Sequence, residues 1–198
     1  MKHYKFLNLD GKKIKSNSGD CSWKLNEWKH EDEIDMCNKG FHCSDTILDA
    51  FSYVSGSILA IVETKGESEK KEDKSVWSDM RLIKIWNWTK NDSVALSIFS
   101  AELCIKNFEK LYPNDKRPRE AIEAAKKWLK NPTEENRSAA RSAWSAAESA
   151  AESAAWSAAR YAESAAWYAE SAAWYAEKIN VKINKWLINH LKEMTIYK

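Results

Sequence analysis

Glycine and proline are scarce in this chain of 198 residues, and they do not mix. The five glycines lie between positions 11 and 66, and the three prolines stand at 113, 118 and 132. That segregation reads as a turn-rich first half and a helical second half. Long apolar runs are also missing. The longest, Ile58 to Val62, is far below the ~20 residues a membrane helix needs, which excludes a transmembrane reading. The opening MKHYKFLNLDGKK has no apolar stretch of the signal-peptide kind, so the expectation is a chain acting in the bacterial cytoplasm. An excess of charge is absent too. Lys+Arg number 31 and Asp+Glu 29, a net charge of +2. With 15 basic and 16 acidic side chains through Asp92, then 16 and 13, neither half is a polycation. A DNA or RNA polymer and an acidic membrane are thereby removed as partners. Cys21, Cys37, Cys43 and Cys104 lack paired-motif spacing and read as cytosolic thiols.

Tryptophan, by contrast, is abundant: eleven, spread along the whole chain. In the first half, Tyr4 to Leu9 alternates and then meets Asp10-Gly11, a hairpin signal. Ile47, Leu48, Phe51 and Val54 recur at helical spacing, with Ser44 or Asp45 expected as N-cap and Gly56 as the stop. Ser57 to Thr64 reads as the best strand, ending at Gly66. The charged run through Lys74 reads as a solvated loop. SVWSDMRLIKIWNW reads as another strand.

CNKGFHCSDTILDAFSYV followed by SILAIVETKG resembles a small domain found in many phage proteins, a family without a settled biochemical function. The matching positions are Cys37, Gly40, Phe41 and His42, then Leu48, Asp49, Phe51 and Tyr53, then Val62, Glu63 and Gly66. The same order of elements is similar, more distantly, to ADP-ribosyltransferase-like folds. That resemblance implies a nucleotide-gripping role for Lys5 and a nicotinamide-nucleotide contact for Ser44. It supplies no catalytic glutamate, because the corresponding stretch reads SVWSDMRLIKI. A copy of that kind binds without transferring, since no acid is in place to orient an acceptor.

From Val94 the pattern turns helical. Leu96, Phe99, Leu103, Ile105, Phe108 and Leu111 form one stripe, and Pro113-Asn114-Asp115 is a turn. Pro118 opens a helix carrying Ile122, Ala125, Trp128 and Leu129, and Pro132 opens the next. Residues 157–163, 164–170 and 171–177 then repeat as SAARYAE, SAAWYAE and SAAWYAE, after looser Ser-Ala-Ala-Trp/Glu units. The alanines gather on one side of a helical wheel as a packing seam, with Trp167 and Trp174 opposite. Residues 179–194 form a closing amphipathic helix. Cys104, Phe108-Glu109, Tyr112-Pro113, Asp115, Arg117-Pro118-Arg119, Ala121-Ile122-Glu123-Ala124 and Trp128 resemble the Imm5-like family of immunity-protein domains over about residues 97–176. The fold class expected is therefore α+β. A small mixed α/β domain over residues 1–92 precedes an Ala-rich all-α domain over 93–198.

No nucleophile, base and orienting group converge in the sequence, and no phosphate-cradling glycine loop is present, so neither catalytic residues nor a cofactor is expected. Cys21, Cys37, His42 and Cys43 lack the short spacing of structural zinc, and neighbours His42 and Cys43 point to opposite faces of an extended segment, so no metal site is expected either. What remains is binding. Lys5, Arg81, Arg117 and Arg119 are the candidate cations, Trp77 and His42 the planar groups, and Ser44 a hydroxyl donor for a small anionic nucleotide-like ligand. The competing reading of the two arginines is that one pairs with Asp115 or Glu123 to fix the interhelix turn. The function expected is a non-enzymatic phage or mobile-element counter-defence protein, a sponge that sequesters a nucleotide-type immune signal. The alternative is an inhibitor or immunity protein that blocks a bacterial defence protein. A homo-oligomer through the Ala-rich helices stays open.

Overall fold

The computed structural model describes residues 2–18, 21–54, 56–143, 145 and 166–197, for 166–175 the backbone alone. The first strand, β1 (His3–Asp10), turns at Gly11 (φ 58°) into β2 (Lys13–Lys15), the hairpin that Asp10-Gly11 announces. Short strands β3 (Ser22–Trp23), β4 (Lys29–His30) and β5 (Phe41–Cys43) follow, then helix α1 (Ile47–Tyr53). Two long strands, β6 (Ile58–Lys70) and β7 (Ser75–Asn87), complete a seven-stranded antiparallel sheet. Its order is β3-β2-β1-β6-β7-β4, and β5 also pairs with β7.

Period-two alternation explains why the central strands are buried on both faces. Leu7, Ala60, Val62, Met80 and Leu82 join one core with Ile14 and Trp23, which the curl of the sheet brings over. On the opposite face Phe6 meets α1 and the end of β7, its ring edge-on to Phe51 at 5.3 Å and to Trp88 at 5.2 Å. Gly56 is where β6 approaches β1, since a Cβ there would stand 2.2 Å from the Leu7 carbonyl oxygen. Its role is thus close packing, while α1 already ends at Val54.

Two local expectations are corrected. The N-cap of α1 is Thr46, neither Ser44 nor Asp45. Its hydroxyl accepts from the Asp49 N–H at 3.1 Å and donates to the Asp49 carboxylate. Ser44 and Asp45 are already committed, Ser44 to a backbone bridge with Tyr4 and Asp45 to His3 and Lys70. Strand β6 also does not end at Gly66. A bulge, with Gly66 at φ 79°, lets the ladder with β7 continue to Lys70, so the charged run is mostly hairpin and only residues 71–74 form the loop. Cross-strand hydrogen bonds override the low strand propensity of Glu and Lys here.

Helices α2 (Lys90–Leu111) and α3 (Arg117–Lys130) follow, residues 134–143 are helical, and α4 spans Ala166–His190. The chain divides into two compact units, Met1–Thr89 with Asn184–Lys198, and Lys90–Ile183. The split expected after residue 92 thus falls close to Thr89, but the tail expected with the helices belongs to the sheet unit. The Asn184 side chain accepts from the Leu48 N–H at 3.1 Å, and Tyr197 donates its N–H to the Ile85 carbonyl at 3.2 Å. Trp167, Trp174 and the alanine seam of the repeat lie outside the described residues and side chains.

Candidate functional site

A cleft of about 620 Å³ opens in the sheet unit, on residues from β1, α1, β5, the turn before β5 and Lys74, which precedes β7. Lys5 lines it. On β1, Lys5 pairs in register with Ala60, on the same face as Leu7, so a lysine occupies a position where the alternation calls for an apolar side chain. Its Nζ donates to the His42 carbonyl oxygen at 2.7 Å. No carboxylate pairs with it among the described residues. Burial pushes the Lys5 amine below its ordinary value, against a smaller pull from Cys43 and Cys21.

His42 and Ser44 line the same cleft. Strand β5 brings them there by pairing with β7, while Ser44 exchanges both backbone hydrogen bonds with Tyr4. His42 Nε2 accepts the Cys37 N–H at 2.9 Å, which assigns its ring proton to Nδ1. Burial, then the nearby Lys5 and Lys74 ammoniums, hold its pKa below the ordinary value, so the ring is a neutral planar acceptor at neutral pH. Cys43 is buried, its thiol 3.5 Å from Ser75 Oγ, and burial pushes it up to about 11. All four cysteines are free. No group of three or more His, Cys, Asp or Glu converges among the described residues.

The remaining candidates stand elsewhere. Trp77 packs against the sheet core, its indole N–H donating to Ser75 Oγ at 2.9 Å. Arg81 is bonded through Nε to Glu63 at 2.6 Å and lies over the Trp28 ring at 4.8 Å, so its cation is already matched. Arg117 and Arg119 belong to the helical unit, and both are engaged by carboxylates. Arg117 grips Asp115 with Nε and Nη2 at 3.0 and 2.6 Å, and Arg119 grips Glu109 with two bonds of 2.8 Å. The interhelix turn is fixed by these forks, with Glu109 in place of the Glu123 considered from sequence.

Sequence reasoning missed Lys74, and it named Cys37 and Tyr53 as positions of the resemblance without placing them at a binding site. Lys74 Nζ donates to Cys37 Sγ at 3.0 Å and stands 4.5 Å from the centre of the Tyr53 ring. That hydrogen bond holds the Lys74 ammonium above its ordinary value. No sequence signal marks Lys74, because the run containing it looks like any solvated loop. Only the pairing of β5 with the start of β7 carries it to the cleft.

The helical unit has its own cavity, about 660 Å³, with a mainly apolar lining that includes Val94, Ile98, Phe108, Ile122 and Trp128.

The fold and cleft define an α+β protein whose sheet unit gathers Lys5, Lys39 and Lys74 around one recess, Lys39 being paired with Glu33. Residues 1–92 match the family model described as a domain of unknown function (DUF7666), which places the N-terminal half in an uncharacterised domain family. No curated protein and no solved structure matches the chain.

Proposed function

We propose that the sheet-unit cleft binds a small anionic, nucleotide-type ligand and holds it without chemical change, as a counter-defence sponge of a phage or mobile element would in the cytoplasm of its host. One observation carries this reading. Lys5 and Lys74 line a single cleft, and neither is paired with a carboxylate among the described residues. The enclosed Lys5 amine is costly when unmatched, and an incoming phosphate supplies the missing charge, with Lys74 at the cleft's open edge as a second cation. Tyr4, Phe41, Tyr53 and the neutral His42 ring offer the planar surfaces a base stacks on. His42 is held by the Cys37 N–H and the Lys5 amine on its carbonyl, so it acts as a rigid contact and not as a base for a nucleophile.

The test is calorimetry and thermal shift with cyclic and ADP-ribose-type nucleotides. A saturating ligand raises the melting temperature. Lys5→Met weakens binding by roughly ten- to a hundredfold, the equivalent of about 1.5–3 kcal/mol for a charge-assisted hydrogen bond. The free Lys5→Met protein melts no lower than the parent, because the substitution removes an unmatched buried charge. The ligand released on heat denaturation is intact. A cleaved ligand overturns the non-enzymatic reading. If no nucleotide shifts the melting temperature, the protein-blocking alternative takes its place. That alternative is favoured by Leu111, 72% exposed at the end of α2 beside an exposed Tyr112.

A further inference from the structure

We propose that Cys37 and Lys74 form a redox-sensitive pair that closes, on oxidation, into an oxygen-bridged S–O–N cross-link at the edge of the sheet-unit cleft. The pair joins two segments far apart in sequence, the turn at residues 36–38 and the residue that precedes β7. Sγ and Nζ stand 3.0 Å apart, close enough for one oxygen atom to link them with little movement. Each partner is positioned from its other side. The Cys37 backbone, at φ 77°, is held by its N–H bond to His42 Nε2, and the Lys74 ammonium rests over the Tyr53 ring. Cys37 is exposed, so a small oxidant reaches it, while Cys43 is buried against Ser75. Among the described cysteines, Cys37 is the one with a lysine nitrogen at hydrogen-bond distance.

The oxidant is dioxygen or two molecules of hydrogen peroxide, which leave three waters in all; with dioxygen the step balances as follows. The S–H bond and one N–H bond of the amine break, and S–O and O–N bonds form. The second oxygen atom leaves as water with the two hydrogens. Sulfur and nitrogen give up two electrons each, the four that dioxygen takes. A thiol reductant attacking sulfur breaks the S–O bond, leaving a mixed disulfide on Cys37 that a second thiol resolves and a hydroxylamine on Lys74, so the cross-link opens.

A nitrogen bonded to oxygen is a weak base, so the bridge removes the Lys74 cation from the cleft. That consequence rests on the anion-binding reading above, whereas the bond itself does not.

The experiment is intact-mass and peptide-mapping spectrometry of the full chain before and after mild peroxide. The expected product is heavier by about 14 Da, one oxygen gained and two hydrogens lost. Its digest contains one cross-linked species joining the peptides of Cys37 and Lys74, and dithiothreitol removes it. Lys74→Arg keeps a cation beside the sulfur and Tyr53, and with Cys37→Ser it remains without the 14 Da product. Gains of only about 16, 32 or 48 Da on Cys37, alike in the parent and Lys74→Arg, overturn the proposal. A disulfide from Cys37 in place of the bridge overturns it as well. Because mass reads the bond directly, failure here is separate from failure of any nucleotide to bind.

Discussion

The two units solve the problem of burying side chains in opposite ways. In the sheet unit, strands distant in sequence share one ladder, and Leu7, Ile58, Leu59, Ala60, Met80 and Leu82 are fully enclosed. In the helical unit, α2 and α3 are neighbours in sequence. Among their described side chains Leu96, Ile105 and Ile122 are the buried ones. What aligns these helices is local charge, Arg119 with Glu109 and Lys126 with Glu102 at 2.7 Å. A lysine stands out only against the first kind of background. On α3, Arg117, Arg119 and Lys126 have carboxylates within a turn or across the helix pair. On the core-facing side of β1, Lys5 has no such partner among the described residues, and its amine is bonded to the His42 carbonyl.

That contrast can be broken. Leu82→Ala should cost about 4 kcal/mol in urea unfolding, since the rigid ladder around it cannot collapse into the cavity, and Ile122→Ala about 2 kcal/mol. Equal losses would mean the helical unit is as tightly enclosed as the sheet. Next in size, Leu187→Ala should remove about 2–4 kcal/mol. Amide exchange should show the loss in α1 and β7, because residues 184–198 belong to the sheet unit and bond to those elements. A loss confined to α2 and α3 would return the tail to the helices.

A smaller effect follows from Cys43, whose thiol is raised from 9.0 to about 11 by burial. The folded state holds this proton more tightly than the unfolded chain does. Its contribution is therefore complete below pH 9 and is lost as pH rises toward 11, about 2–3 kcal/mol in all. Cys43→Ala should flatten that part of the stability profile, and a profile unchanged by the substitution would place the thiol in water. Smallest is Thr46→Ala, about 1 kcal/mol for the lost cap of α1, measurable by thermal melting. If Ser44→Ala costs more through α1 than Thr46→Ala, the cap assignment is wrong.

Much of the local architecture was legible. Asp10-Gly11 makes its hairpin because glycine takes the positive φ the turn requires. Helices α1, α2 and α3 form where the spacing of apolar residues puts them, although Leu111, expected in the α2 stripe, is exposed. Less was legible at the candidate site. Of seven residues named from sequence, Lys5, His42 and Ser44 reach the cleft, while Trp77, Arg81, Arg117 and Arg119 are occupied by Ser75, Glu63, Asp115 and Glu109. An arginine near a tryptophan looks the same in sequence whether its partner is a ligand or a carboxylate brought from another strand.

Sequence alone determined the periodicities, the turn glycine, the lack of an apolar run long enough to cross a membrane and the division into a sheet-forming half and a helix-forming half. Those properties depend on residues within one or two turns of each other. The tertiary structure decided which cations go unmatched, which cysteine meets a lysine, and that the tail returns to the sheet. These outcomes depend on strand register and on contacts across tens of residues, where a shift of one position turns every side chain to the other face.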